Sequence, residues 1–317
     1  MEVKTFKVCV ECITFNHAPY IEDCMNGFTI QQTEFPYVCC IIDDASTDGS
    51  PDVIRKYIQE NFNLEDNSVV HIEETSDFVL WFAQHNTNKN CYFAVYFLKY
   101  NHYKIKKDKR IYIEEWHNNT EYTALCEGDD YWIAPEKLKR QVEFMECHPD
   151  HSLCFCAHRQ LFPSGKTRDV MRYIEGKEIC PMEDIILRGG GYMATNSMLY
   201  RNSMYVPYTM WAQGCPVGDG PKMLTLAHKG MVGYLAEIMC VYRMSALGSW
   251  SVRMFSSKKM RKIHYQAIIK MWHQFDEWSD KRYHQLVMKK IRKDKIIHIK
   301  SEIAFIIRSI FKINVIS

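Results

Sequence analysis

The chain has 317 residues, 47% of them apolar and 25% charged, which suits a folded protein with a full core and excludes disordered, collagen-like and small disulfide-stapled classes. Its net charge of +2 conceals an asymmetry: from Ser251 onward there are 16 Lys/Arg against 5 Asp/Glu, whereas residues 1–250 hold 24 against 33. An acidic front part suits a cation-dependent site, and a basic tail suits an anionic surface, either membrane or nucleic acid.

In chain order, residues 6–14 read as a first strand and 18–31 as a helix with Pro19 near its start. Residues 37–42 form a second apolar run. Residues 51–60 follow as a helix with Val53, Ile54, Tyr57 and Ile58 on one face. Val69-Val70-His71-Ile72 reads as a short third strand. This alternation predicts a parallel α/β sheet. No glycine-rich phosphate turn follows the first strand and no P-loop is present, so a bound nucleotide would be held by side chains and metal. The aromatic runs Leu80-Trp81-Phe82 and 92–98, with the basic stretch 104–110, predict buried helices and a solvated loop; an RNA-binding insert is the competing reading. A helix is expected from Pro135 to Cys147 and another from Asp219 to Lys229. Gly189-Gly190-Gly191 marks a turn before Tyr192-Met193-Ala194-Thr195-Asn196-Ser197, a polar loop expected to shape an acceptor pocket.

The tail differs in character. Residues 256–293 read as helical and very basic, and in 296–313 apolar residues fall at 296, 299, 303, 306, 310 and 313. That spacing is an amphipathic stripe, with Arg308 and Lys312 off it. It fits an interfacial helix on anionic lipid, and equally a helix docked on the rest of the chain or on a second subunit. The N-terminus lacks a signal-peptide pattern, and no run of about 18 apolar residues predicts a spanning helix. Thirteen cysteines, several inside apolar runs, fit a reducing cytoplasm better than a disulfide framework. Cys147, His151, Cys154, Cys156 and His158 lie close enough in sequence for zinc, but 152–157 alternates like a strand.

Two acidic clusters carry the chemistry. Cys39-Cys40-Ile41-Ile42 ends in Asp43-Asp44-Ala45-Ser46-Thr47-Asp48-Gly49-Ser50, and Thr123-Ala124-Leu125-Cys126 ends in Glu127-Gly128-Asp129-Asp130-Tyr131-Trp132. Ligands of open α/β sheets bind beyond the carboxyl ends of the strands. Mg²⁺ or Mn²⁺ commonly shares a few carboxylates with substrate phosphates there. The structural alternative is a pair of solvated turns that cap the following helices, with Asp48 and Ser50 before Pro51.

These two clusters, preceded by Val8-Cys9-Val10-Glu11-Cys12-Ile13-Thr14-Phe15-Asn16-His17, resemble the ordered motifs of glycosyltransferase family 2. Gly218-Asp219-Gly220-Pro221 with 224–230, and Tyr242-Arg243 with Gly248-Ser249-Trp250-Ser251, resemble that family's acceptor region. The likeness runs over about residues 5–252 and is to the branch of bacterial surface-polysaccharide gene clusters. It implies a GT-A fold: a Rossmann-like, mostly parallel sheet flanked by helices. A catalytic domain would span 1–252, with a nucleotide-sugar half to about 132 and an acceptor half to 252. Residues 253–317 would form a helical C-terminal extension.

The resemblance implies inverting transfer from a nucleotide diphosphate sugar, with UDP as the default, to a hydroxyl of a glycan or lipid-linked acceptor. Asp129 is expected to bind Mn²⁺ or Mg²⁺ directly, with Asp130 beside it. Thr14, Asn16 and Asp44 are expected on the base or ribose, with Asp43 as the substitute for Asp44. Glu127 stands where the family usually has aspartate and would reach ribose or a metal-bound water. Asp219 matches the general base, against a plain helix-cap role, and Arg243 would hold the diphosphate, against a surface salt bridge. A cytoplasmic protein, peripheral on the membrane, is the expected setting. The rival classes are a metal-dependent phosphoesterase, a nucleic-acid binder using the basic tail, and an inactive scaffold of the same fold.

Overall fold

The computed structural model describes residues 5–173, 178–246 and 257–311, with side chains to residue 303. Gly248-Ser249-Trp250-Ser251 and the end of the apolar stripe lie outside the described residues and side chains. The chain divides into two compact units. The first comprises Met1–Cys180, Met193–Tyr205 and Lys229–Arg253; the second comprises Pro181–Tyr192, Val206–His228 and Met254–Ser317.

All described strands belong to the first unit and form one sheet. They are β1 (Val8–Thr14), β2 (Tyr37–Asp43), β3 (Val70–Glu74), β4 (Phe78–Gln84), β5 (Cys91–Leu98), β6 (Tyr122–Leu125), β7 (Tyr131–Trp132), β8 (His151–Leu161), β9 (Thr167–Val170), β10 (Met198–Arg201) and β11 (Met231–Arg243). The order is β3-β4-β5-β2-β1-β6-β10-β8-β11-β7, with β9 paired to β8. The centre, β5-β2-β1-β6, is parallel. Antiparallel pairs extend it on both sides, and β8 and β11 add a further parallel pair.

The central strands are buried on both faces, as parallel strands require. In β2, Cys39 and Ile41 face one core layer while Val38, Cys40 and Ile42 face the other. The first layer is covered by α1 (Ile21–Thr29), α2 (Ser50–Asn61) and, after the short α3 (His102–Ile105) and α4 (Glu114–Asn118), by α5 (Lys137–Cys147). The second is covered by Tyr112, Ile113 and Trp116, around α4.

Several expectations are corrected. The aromatic runs are strands, not helices: every residue of β5 is buried, and it takes the third parallel position that the 69–72 run was expected to fill. That run is instead the exposed edge strand β3, antiparallel to β4. Short continuous apolar runs do not distinguish a buried strand from a buried helix. The 192–197 loop is not a pocket wall at Asn196. That side chain is buried and donates through Nδ2 to the Val241 carbonyl at 2.7 Å, and the Asn196 backbone carbonyl accepts from Trp132 Nε1 at 2.9 Å.

In the second unit, α6 (Met182–Arg188) and α7 (Asp219–Lys229) accompany two long helices, α8 (Lys258–Trp278) and α9 (His284–Phe311). The basic stretch is helical as expected, and it breaks at 279–283 between the two helices. Asp280 and Lys281 both take positive φ, 51° and 59°. His284 Nδ1 meets the buried Asp276 Oδ2 at 2.7 Å across the break. No Gly or Pro announces this turn, because the hydrogen bonds of a tertiary clasp hold it.

Gly27 sets the seat of α1 on β7: a Cβ there would lie 2.7 Å from Trp132 N and 2.8 Å from Trp132 O. Backbone atoms cannot swing aside, so Gly27→Ala is expected to destabilise the protein by about 1–3 kcal/mol. Urea unfolding of the two proteins checks this, with equal midpoints contradicting it.

Candidate functional site

β1 lies between β2 and β6 and is parallel to both, so their carboxyl ends open on one edge. On one side the Asp44 N–H donates to the Thr14 carbonyl at 3.0 Å; on the other the Gly128 N–H donates to the Ile13 carbonyl at 3.2 Å. Both acidic segments are thus tied to the end of a single strand. Gly128 is required there: a Cβ would lie 2.5 Å from Thr14 Oγ1.

The loop after β1 is locked to the loop after β2. Asn16 takes φ 59°, a conformation Asn tolerates better than most residues. Its N–H donates to Ser46 Oγ at 2.9 Å and its Oδ1 accepts from the Thr47 N–H at 2.8 Å. Asp48 Oδ2 accepts from the Ala18 N–H at 2.9 Å, and its Oδ1 accepts from Ser50 Oγ at 2.6 Å. Burial pushes the Asp48 carboxyl up, but the donors from Ser50 and Ala18 outweigh it and hold the group below its usual range.

The neighbouring Asp43 and Asp44 have different environments. Asp44 is buried and fully engaged. Its Oδ1 accepts from the His102 N–H at 2.6 Å, and its Oδ2 accepts from the Tyr103 N–H at 3.2 Å and from Lys109 Nζ at 2.8 Å. These bonds anchor the basic segment 102–109, so Lys109 is a structural partner that the sequence pattern did not single out. Asp43 accepts from the Ser46 N–H at 3.0 Å through Oδ2, while its buried Oδ1 has no hydrogen-bond partner among the described residues. Burial raises the Asp43 carboxyl above its usual range, against the Ser46 donors.

Beyond β6 the three carboxylates also diverge. Glu127 is exposed, and its backbone carbonyl accepts from the Asp130 N–H at 3.0 Å. The Asp129 side chain is 14% exposed, with its Oδ2 3.9 Å from His17 Nε2. His17 Nδ1 in turn lies 3.2 Å from Thr14 Oγ1. This Thr14–His17–Asp129 chain links the loop after β1 to the acidic loop after β6. His17 stands inside the first motif, but sequence reasoning assigned it no role, because adjacency to Asp129 is made only by the fold. Asp130 is buried: Oδ1 accepts from the Arg243 N–H at 2.7 Å, and Oδ2 has no hydrogen-bond partner among the described residues. Burial and then the Asp129 charge push its carboxyl well above the usual range.

Arg243, at the end of β11, is heavily engaged. Nη1 donates to the Asp129 carbonyl at 2.8 Å, Nη2 pairs with Asp23, and the guanidinium lies over the rings of Tyr20 and Tyr131, with centroids at 5.0 Å and 4.4 Å. Asp219 is the first residue of α7, in the second unit, where a carboxylate in the first turn complements the helix dipole.

Among the described residues no three His, Cys, Asp or Glu side chains gather into a ready-made metal cage. This applies also to Cys147, His151, Cys154, Cys156 and His158, of which all but Cys147 lie in β8. A Mg²⁺ or Mn²⁺ ion needs fewer protein ligands, since it keeps waters and takes oxygens from substrate phosphates. The part-buried Asp129 carboxylate and the orphaned Asp130 oxygen fit that requirement.

Comparison with known proteins adds a sequence match and a likeness of fold. The sequence profile of "Glycosyl transferase family 2" matches residues 9–78, which include β1, β2 and the first acidic cluster. Uncharacterized proteins of Mycobacterium tuberculosis and Mycobacterium bovis are 29% identical over 238 residues, 75% of this chain. The chain spans 59% of the length of those relatives. Among solved structures, S. aureus TarS 1–349 in complex with UDP-GlcNAc matches with TM-score 0.56 at 14% identity, over 90% of this chain and 71% of that one. Its complex with UDP matches with TM-score 0.52 at 15% identity, over 90% and 70%. The likeness to TarS is one of fold: the chain has the GT-A fold, and over residues 9–78 its sequence is that of glycosyltransferase family 2.

Proposed function

We propose that this protein transfers a sugar from a nucleotide diphosphate sugar, with UDP as the nucleotide, to a hydroxyl of a glycan or lipid-linked saccharide in surface-polysaccharide synthesis. The observation that carries the proposal is the joining of two acidic loops to the end of β1. The UDP and UDP-GlcNAc held by TarS on a similar fold support the choice of nucleotide.

In this reading Thr14, Asn16 and Asp43 meet the nucleoside. Asp43 is preferred to Asp44, because Asp44's oxygens are already engaged by the 102–109 segment. A carboxyl with one oxygen to spare at a strand end suits a ribose hydroxyl, which donates to it. Asp129 is the metal ligand, and Asp130 positions it by holding the Arg243 backbone. A divalent cation bound there supplies charge neutralisation for the departing diphosphate. Glu127, which is exposed, meets ribose or a metal-bound water in this reading. Arg243 holds the loop of Asp129 rigid through that residue's carbonyl, and reaches diphosphate only by giving up Asp23.

Transfer is inverting. The acceptor oxygen attacks the anomeric carbon opposite the leaving group, and the bond from that carbon to the diphosphate oxygen breaks. Asp219 takes the acceptor proton as the new bond forms, and the nucleoside diphosphate leaves. The base role rests on the motif resemblance, and its test is kinetic.

Calorimetric titration with UDP, with and without Mn²⁺, tests the donor site. Wild type should bind UDP at least about tenfold more tightly with Mn²⁺, and Asp129→Asn should abolish that gain, as loss of a ligand to the ion implies. Folded wild-type protein that binds no UDP in either condition contradicts the proposal. Asp43→Asn is expected to weaken UDP binding with little change in melting temperature. Asp44→Ala should instead cost about 3 kcal/mol of stability by stranding Lys109 and two backbone donors; the reverse pattern reassigns the pair. With a UDP-sugar found by screening, Asp219→Asn should lower kcat by about 10²–10⁴ and leave UDP affinity unchanged. An unchanged kcat returns Asp219 to a helix-terminal role.

A further inference from the structure

The second unit has a helix face that its own packing leaves open. On α9, Ile296, Ile299 and Ile303 recur at helical spacing and are 54%, 48% and 52% exposed. Arg292 and Lys300 stand four residues either side of Ile296, on the same face, and both are exposed. The opposite side of α9 is the packed one. Val287 is buried there, and the His298 ring stacks on Tyr265 of α8 with centroids 4.0 Å apart.

The charges are sorted in the same way. α9 contains two carboxylates, and both are paired. Asp294 accepts from Lys290 at 2.7 Å, while Glu302 lies 3.5 Å from Arg261 and 3.8 Å from Lys258 on α8. The Ile296–Ile299–Ile303 face therefore presents isoleucine and unneutralised cation together. Between residues 257 and 303 the chain has thirteen Lys/Arg against five Asp/Glu. No described helix is long and apolar enough to cross a membrane.

We propose that this face of α9 docks on the surface of a lipid bilayer containing anionic headgroups. The isoleucines would enter the headgroup–acyl boundary while Arg292 and Lys300 meet lipid phosphates. A second copy of the chain is a poorer occupant, since a symmetric contact brings Arg292 and Lys300 toward like charges. A nucleic acid would satisfy the cations and leave the isoleucine stripe in water. Only an anionic bilayer matches both halves of the face. This inference is independent of the donor chemistry, because no residue of the nucleotide site takes part.

The test is sedimentation of the full chain with phosphatidylcholine vesicles and with vesicles of phosphatidylcholine and phosphatidylglycerol. Wild type should bind the mixed vesicles and not the neutral ones, and added salt should weaken binding. Arg292→Gln with Lys300→Gln should lower the partition coefficient by about fivefold per cation removed. Ile299→Glu with Ile303→Glu should abolish binding. Far-ultraviolet circular dichroism and melting temperature check that each variant is folded. These positions are exposed, so both should match wild type. Equal binding to neutral and anionic vesicles, or unchanged binding by both folded double variants, overturns the proposal. So does a sizing-column dimer that Ile299→Glu with Ile303→Glu converts to monomer while vesicle binding persists.

Discussion

Buried carboxylates at the end of a parallel sheet impose the constraint on which the first unit depends. A carboxylate out of water must be neutralised, hydrogen-bonded or protonated. Five aspartates follow β2 and β6, three of them buried (Asp43, Asp44 and Asp130), and the loops around them are shaped by the donors they take. Asp44 recruits the 102–109 segment, Asp48 clasps the loop after β1 to the start of α2, and Asp130 holds the end of β11. Asp43 and Asp130 each keep a buried oxygen that no described residue satisfies. Asp130 thus acts both as a structural anchor and as a carboxyl with one oxygen to spare.

This arrangement explains why several residues with apparent functional character are structural in the described chain. Arg243 carries a charge suited to phosphate, yet its guanidinium is held by Asp23, by a backbone carbonyl and by two aromatic rings. Guanidinium geometry suits such multiple engagement, which makes the Asp129 loop rigid. Preorganisation of this kind is what a site needs if charge is to be stabilised without moving the protein at the moment of reaction.

The second unit follows a different rule. Its last helix, α9, has two carboxylates to offset many cations, and both are spent internally, Glu302 with α8 and Asp294 with Lys290. What remains outside is cation and isoleucine. The turn at 279–283 makes this possible, because it folds the basic tail back on itself and leaves one side of α9 without a neighbour along the described stripe.

The sequence by itself determined the two acidic strand ends, the central strands β1, β2 and β6, the family resemblance and the amphipathic tail, because each is a local pattern of adjacent residues. Tertiary structure decided what local pattern cannot express. The run 92–98 is a central strand paired between β2 and β4, although its composition suits a buried helix equally well. Asp43 and Asp44 are indistinguishable as neighbours in sequence; they differ because successive residues at a strand end point to opposite sides, one toward 102–109 and one toward Ser46. His17 reached Asp129 only through the pairing of β1 with β6. Contacts between residues more than 100 positions apart depend on strand order, and strand order is set by the packing of the whole sheet.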